Sequence, residues 1–165
     1  MVVDQATSIT LDRHLARSGP AAESFARLWE SLWRQSHLPP RLLELCRLTF
    51  ARLHGDATEL RAANPLIDER GGDDRLEDAV VSGKALDDPH LPDGWAPVLL
   101  FAEYYWTDAQ SIPDEVADAV KLHHGEPGLV LLIEALGCID GRMRTARCLR
   151  DLAAHRSTME VAHVG

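Results

Sequence analysis

The three cysteines are the residues with the most distinctive chemistry, and their spacing limits what they can do. Cys46, Cys138 and Cys148 are an odd number, and their spacing matches neither a zinc ribbon nor a disulfide framework. Cys138 and Cys148 would lie about 15 Å apart along one predicted helix, beyond the roughly 7 Å between Cα atoms that a disulfide spans. Cys46 lies on an apolar helix face, where a buried thiol behaves as a small hydrophobic side chain. Redox chemistry within the chain is therefore not expected unless Gly141 breaks the last helix.

Two basic clusters each allow two interpretations. His123 and His124 would point about 100° apart on a helix, which suits a solvent-facing helix end better than two ligands of one metal. The last predicted helix carries four arginines, Arg142, Arg144, Arg147 and Arg150. They form either a solvated face paired with acids or an anion-binding patch. The patterns GxGxxG, GxxxxGKS/T, HExxH and GxSxG are absent, and we expect no cofactor and no metal.

The composition narrows the classes of partner. The chain has 165 residues, with 17 Lys and Arg against 26 Asp and Glu, a net charge of -9. Nucleic acids and anionic membranes would repel such a surface, so small molecules or proteins remain as partners. The sequence shows no signal-peptide pattern and no apolar run near the roughly 20 residues of a membrane span. We expect one cytoplasmic domain over residues 1–165, with its core at about 22–155.

Helical periodicity dominates the sequence and predicts an all-α fold of about six to seven helices. The first predicted helix runs from Phe25 and ends at Pro39-Pro40, and the second is a buried helix over Leu42–Leu53 with Gly55 as a left-handed stop. Further helices are predicted from Asp56 to about Asn64, around Leu76–Gly83 within a solvated acidic connector between Ile67 and Asp93, over Gly94–Thr107, from Ser111 to His123, and from Leu129 to about His155. Gly125, Pro127 and Gly128 are expected to separate the last two.

One stretch of this pattern resembles a known family. The run LPPRLLELCRLTFARLHGDATEL, Leu38 to Leu60, resembles the family that contains carboxymuconolactone decarboxylase and the alkylhydroperoxidase AhpD. LLFAEYYW around Glu103 and the later SIPDEV resemble further helices of that family, and the likeness covers about Pro39 to Leu149. The resemblance implies an AhpD-like helical bundle that assembles as a homo-oligomer.

The resemblance also indicates that most residues of the peroxidase site are replaced in this sequence. AhpD-type peroxidases use two cysteines at a helix N-terminus, with a glutamate and histidines that relay protons. The glutamate corresponds to Glu44, whereas the two cysteine positions hold Asp56 and Glu59, and the histidine positions hold Thr58 and Ala63. Carboxylates cannot exchange thiols and disulfides, so alkylhydroperoxidase activity should be absent.

The replaced site allows two interpretations. In a non-redox or non-catalytic relative, Asp56 caps a helix, Glu59 faces solvent and no pocket converges on Glu44. In a cofactor-independent enzyme, Glu44, Asp56 and Glu59, with His54 beside them, perform acid-base chemistry on a small organic acid or lactone, as a decarboxylase or isomerase. A pocket would then contain Glu44 together with Asp56 or Glu59.

Overall fold

The computed structural model describes residues 5–67 and 74–162, with side chains described as far as residue 156. This part of the chain is helical and contains no strand, as predicted. Its helices are α1 Leu11–Leu15, α2 Pro20–Arg34, α3 Pro40–Leu53, α4 Ala57–Leu60, α5 Asp74–Val81, α6 Trp95–Asp108 and α7 Asp114–Ala162, with a short 3₁₀ helix at Ala85–Asp87. None of the helices in the described ranges is long and apolar enough to cross a membrane.

Helix α3 is the centre of the fold, and the other helices pack around it. Every residue from Leu42 to Ala51 is buried, and α3 contacts α2, α4, α5, α6 and α7. Pro40 occupies the first turn, where its missing N–H is not needed. Gly55 follows the helix at φ +64°, a conformation that glycine adopts without strain, and it turns the chain into α4. The predicted helix and its glycine stop are thus both present.

The amphipathic helix α2 supplies a second layer of the core. It buries Trp29, Leu32 and Trp33, and the rings of the two tryptophans meet edge to face with centroids 5.0 Å apart. Helix α6 buries Val98, Leu99, Phe101 and Ala102 against α3 and α7. Apolar periodicity predicts both of these faces.

The two halves of α7 are separated at a single residue. Gly125 has φ +70° and ψ 172°, and helical structure resumes immediately after it. Pro127 lies in the first turn of the second half, where it costs no backbone hydrogen bond. The predicted start at Leu129 is therefore late by about one turn, and the predicted breaks at Pro127 and Gly128 are wrong.

Other segments also differ from the prediction. Helix α1 is an additional element, and Leu11 within it packs with Ala6 and Ala146, so buried apolar residues extend outside 22–155. Helix α4 is one turn long and does not reach Asn64. Helix α5 packs against α3 and contributes Leu76 and Val80 to the core, so it is not merely a surface helix of the connector. Asp68 to Asp73, also assigned to that connector, lie outside the described residues.

Candidate functional site

The Glu59 carboxylate lies in a buried polar network. Its side chain has 0% exposure, and its two oxygens accept hydrogen bonds from the backbone N–H and the hydroxyl of Ser8, the latter at 2.8 Å. Arg47 Nη1 lies 3.2 Å from Glu59 Oε2. Burial raises the pKa of Glu59 above its ordinary value, although the Ser8 hydrogen bonds and the Arg47 charge oppose this. The non-catalytic interpretation expects Glu59 to face solvent, and that expectation is wrong.

Arg47 joins Glu59 to Glu44 in the same interior. Its guanidinium has 0% exposure, and Nη2 lies 2.6 Å from Glu44 Oε1. Nη1 also donates to the backbone carbonyl of Glu59 at 3.0 Å, and Nη2 donates to that of Ala62 at 2.9 Å. Burial alone lowers the pKa of Arg47, but the charge and hydrogen bond of Glu44 and the charge of Glu59 raise it above its usual value. Arg47 therefore stays a cation between two carboxylates.

Glu44 borders a polar cleft of about 510 Å³ next to this network. Its carboxylate accepts from Arg47 and from Asn64 Nδ2, the latter at 3.0 Å. Arg41 and Glu77 also line the cleft and lie 2.8 Å apart as an ion pair. Burial raises the pKa of Glu77, and Arg41 opposes that effect. A cleft does converge on Glu44, but it holds neither Asp56 nor Glu59.

Asp56 fulfils the predicted role of a helix cap. Its Oδ1 accepts the backbone N–H groups of Thr58 and Glu59, both at 3.1 Å, at the start of α4. Its second oxygen forms an ion pair with Arg150 of α7. Arg150 also donates to the backbone carbonyl of Ala6 at 2.6 Å. Asp56 therefore links α4, α7 and the N-terminal segment, which we define as residues 5–10.

His54 is paired with α7 and not with Glu44, Asp56 or Glu59. Its Nε2 lies 2.8 Å from Asp140 Oδ1, and Asp140 Oδ2 accepts from Arg144 Nε at 2.7 Å. Trp106 Nε1 lies 3.4 Å from the same ring nitrogen. His54 and Asp56 both border a groove of about 390 Å³ along α7. The predicted site residues are thus divided between this groove, the Glu44 cleft and the buried network of Glu59.

Arg142 is a buried polar residue whose position the sequence interpretation does not predict. That interpretation places it on a solvated or anion-binding face, but it has 0% exposure and its guanidinium carbon lies 4.4 Å from the Trp29 ring centroid. Nε donates to the Ser8 backbone carbonyl and Nη1 to Asp12, both at 2.9 Å. A signal does exist in the sequence, because Arg142 lies between Ile139 and Ala146 on the apolar stripe of α7.

The three cysteines differ in burial. All three are free. Burial raises the pKa of Cys46 to about 12 and that of Cys138 to about 11, which leaves both thiols protonated at neutral pH. Cys148 is exposed and borders the groove beside His54. All three cysteines fall within the described residues, and no two of their sulfur atoms are bonded to each other.

The adjacent histidines of α7 make separate contacts. His124 Nε2 lies 3.0 Å from the Gly94 carbonyl, whereas His123 packs against Gly94, and the two rings lie 6.4 Å apart. Within residues 5–67 and 74–162, no group of three or more His, Cys, Asp or Glu side chains is placed to hold a metal ion.

Comparison of the chain with protein-family models, curated proteins and solved structures found no significant match. The likeness to the AhpD-containing family therefore remains a prediction from the motif residues.

Proposed function

We propose that this chain is a non-redox relative of the carboxymuconolactone decarboxylase and AhpD family, in which acids at the thiol positions hold the fold together. The observation that carries the proposal is the environment of Glu59, whose two oxygens are taken by Ser8 and Arg47 in a fully buried position. Asp56 is similarly engaged by the α4 backbone and Arg150. Neither side chain is left free to act on a substrate.

The test is a peroxidase assay with an organic hydroperoxide and a dithiol reductant. A variant with all three cysteines replaced by serine serves as the matched control. We expect the native chain and this control to consume hydroperoxide at the same rate. Turnover by the native chain well above that of the serine variant would overturn the proposal.

The cleft at Glu44 favours a second candidate function. It combines the Glu44 carboxylate with the guanidinium of Arg41, and the two together can bind a small organic acid or lactone and transfer protons. The reaction would be a cofactor-independent decarboxylation or isomerisation. In this version Glu44 remains a candidate catalytic residue, while Asp56, Glu59 and His54 lie elsewhere. Loss of turnover in Glu44→Gln, with rescue by Glu44→Asp, would support it.

The assembly and location of the protein belong to the same proposal. Helix α7 exposes Leu122, Val130 and Ile133, the kind of surface that a homo-oligomer would cover. Three unpaired cysteines suit a reducing, cytoplasmic environment. Measurement of the mass in solution by light scattering tests the oligomer.

A further inference from the structure

The groove beside His54 has the dimensions and lining of a ligand site. Its volume of about 390 Å³ lies within the range of roughly 300–1,000 Å³ that is typical of small-molecule pockets. Met143, Cys148 and Leu152 of α7 give it an apolar wall. His54, at the end of α3, closes one side. The groove is separate from the Glu44 cleft, so a ligand bound here would be independent of the proposed function.

The hydrogen bonds of His54 define which ring nitrogen carries the proton. A carboxylate oxygen only accepts, so the 2.8 Å contact to Asp140 requires a proton on Nε2. The 3.4 Å approach of Trp106 Nε1 to the same nitrogen is then a contact between two N–H groups and not a hydrogen bond, and the much shorter contact to Asp140 decides the tautomer. Arg144 holds the other oxygen of Asp140 at 2.7 Å and fixes the orientation of that carboxylate. In the neutral imidazole, Nδ1 then carries the lone pair. Nδ1 forms no hydrogen bond within the described part of the chain, so it remains available as an acceptor.

The charges around the groove favour an anion. Arg147 forms no ion pair with any described residue, and its contact with a protein acceptor is a 3.5 Å approach to the His54 carbonyl. Arg144 uses Nε for Asp140, and its side chain is 62% exposed, which leaves its terminal nitrogens to solvent. The opposing charge is Asp151, an exposed carboxylate at the rim, while Asp56 is already paired with Arg150. His155 also borders the groove.

The geometry points to a binding site for a small molecule that carries one carboxylate and an apolar body. The carboxylate lies between the guanidinium groups of Arg144 and Arg147, because these supply forked N–H donors. The apolar body packs on Met143 and Leu152. His54 Nδ1 accepts a hydrogen bond from a hydroxyl or amide of the ligand, a position from which it can also take a proton.

Cys148 provides a reporter for this site. It is the exposed thiol of the chain, whereas Cys46 and Cys138 are buried and protonated. The probe is 3-phenylpropionate, and phenethylamine has a similar body with the opposite charge. We expect 3-phenylpropionate to slow the reaction of Cys148 with the neutral reagent 4,4'-dithiodipyridine in a saturable way, and phenethylamine not to do so.

Matched variants test each part of the site. Arg147→Gln should weaken 3-phenylpropionate binding by about tenfold, whereas Arg34→Gln, the same change in an exposed pair on α2, should leave it unchanged. Asp151→Asn should bind at least as tightly as the native chain. In ¹⁵N spectra of the native protein, His54 Nδ1 should be the unprotonated nitrogen and should shift when the probe is added.

Any of four results would overturn the assignment. These are absence of saturable protection, equal protection by phenethylamine, equal binding by Arg147→Gln and Arg34→Gln, and loss of binding in Asp151→Asn. A spectrum with the proton on Nδ1 would equally contradict the orientation of the ring.

Discussion

Replacing Arg47 by methionine should be among the most destabilising single changes in this protein. The substitution removes the cation between Glu44 and Glu59 and the donors to two backbone carbonyls, all inside the fold. Removal of one partner from a buried ion pair costs about 3–5 kcal/mol, because the other charge stays buried without compensation. The free energy of unfolding of a domain of this size is about 5–15 kcal/mol, so Arg47→Met should lose a large share of the total stability.

The measurement is urea denaturation followed by far-UV circular dichroism. Arg34→Met is the matched control, since its pair with Glu30 is largely exposed and should cost about 0.5 kcal/mol or less. The double change Glu44→Gln with Arg47→Met removes one of the stranded charges, so it should be more stable than Arg47→Met alone. A loss below about 1 kcal/mol for Arg47→Met, or no recovery in the double variant, would refute the reasoning.

Two further predictions concern the acids of α4. Burial raises the pKa of Glu59, so the folded chain binds a proton on this carboxyl group more tightly than the unfolded chain does. The stability gained from this proton is complete below the unfolded pKa of about 4.3. It is lost as the pH rises through the pKa of the folded chain. Urea denaturation across this pH range should therefore show the native chain gaining stability relative to Glu59→Gln as the pH falls. A difference in stability that does not change with pH would contradict this. The exposed control Glu30→Gln should show the same pH dependence of stability as the native chain. Asp56→Ala loses the helix cap and the Arg150 pair, so thermal denaturation should show a loss of about 1–2 kcal/mol. Asp56→Asn keeps a capping oxygen and should lose less, and equal losses would show that the cap contributes nothing.

The sequence is sufficient wherever a local pattern determines the structure. The apolar face of α3, its stop at Gly55 and the cap at Asp56 are encoded within about twenty consecutive residues, and all three are present. The fold class is predicted in the same way, from repeated helical periodicity without alternation. Pro127 differs because proline breaks a helix in its interior but is accommodated in the first turn, where Pro127 lies.

The tertiary contacts have no counterpart in such patterns. Helix α1 has five residues, too few for a periodic signal. The burial of Glu59 depends on Ser8, which lies 51 residues earlier in the chain, and that of Arg142 depends on its packing against Trp29. Charged residues are rarely buried, so a solvent-facing Glu59 is the ordinary expectation. The pairing of His54 with Asp140 spans 86 positions and has no local signature.

The docking of the N-terminal segment sets an order on folding during synthesis. Ser8 leaves the ribosome early, but the arginine that donates to its backbone carbonyl follows 134 residues later. Until α7 has emerged, the Ser8 carbonyl lacks this donor, so the hydrogen bonds that tie the N-terminal segment to α7 form late. This closure joins the first and last parts of the described chain, so it depends on contacts of the longest range in the fold. A fusion partner attached ahead of this segment would be tethered beside α7, to which the segment is hydrogen-bonded.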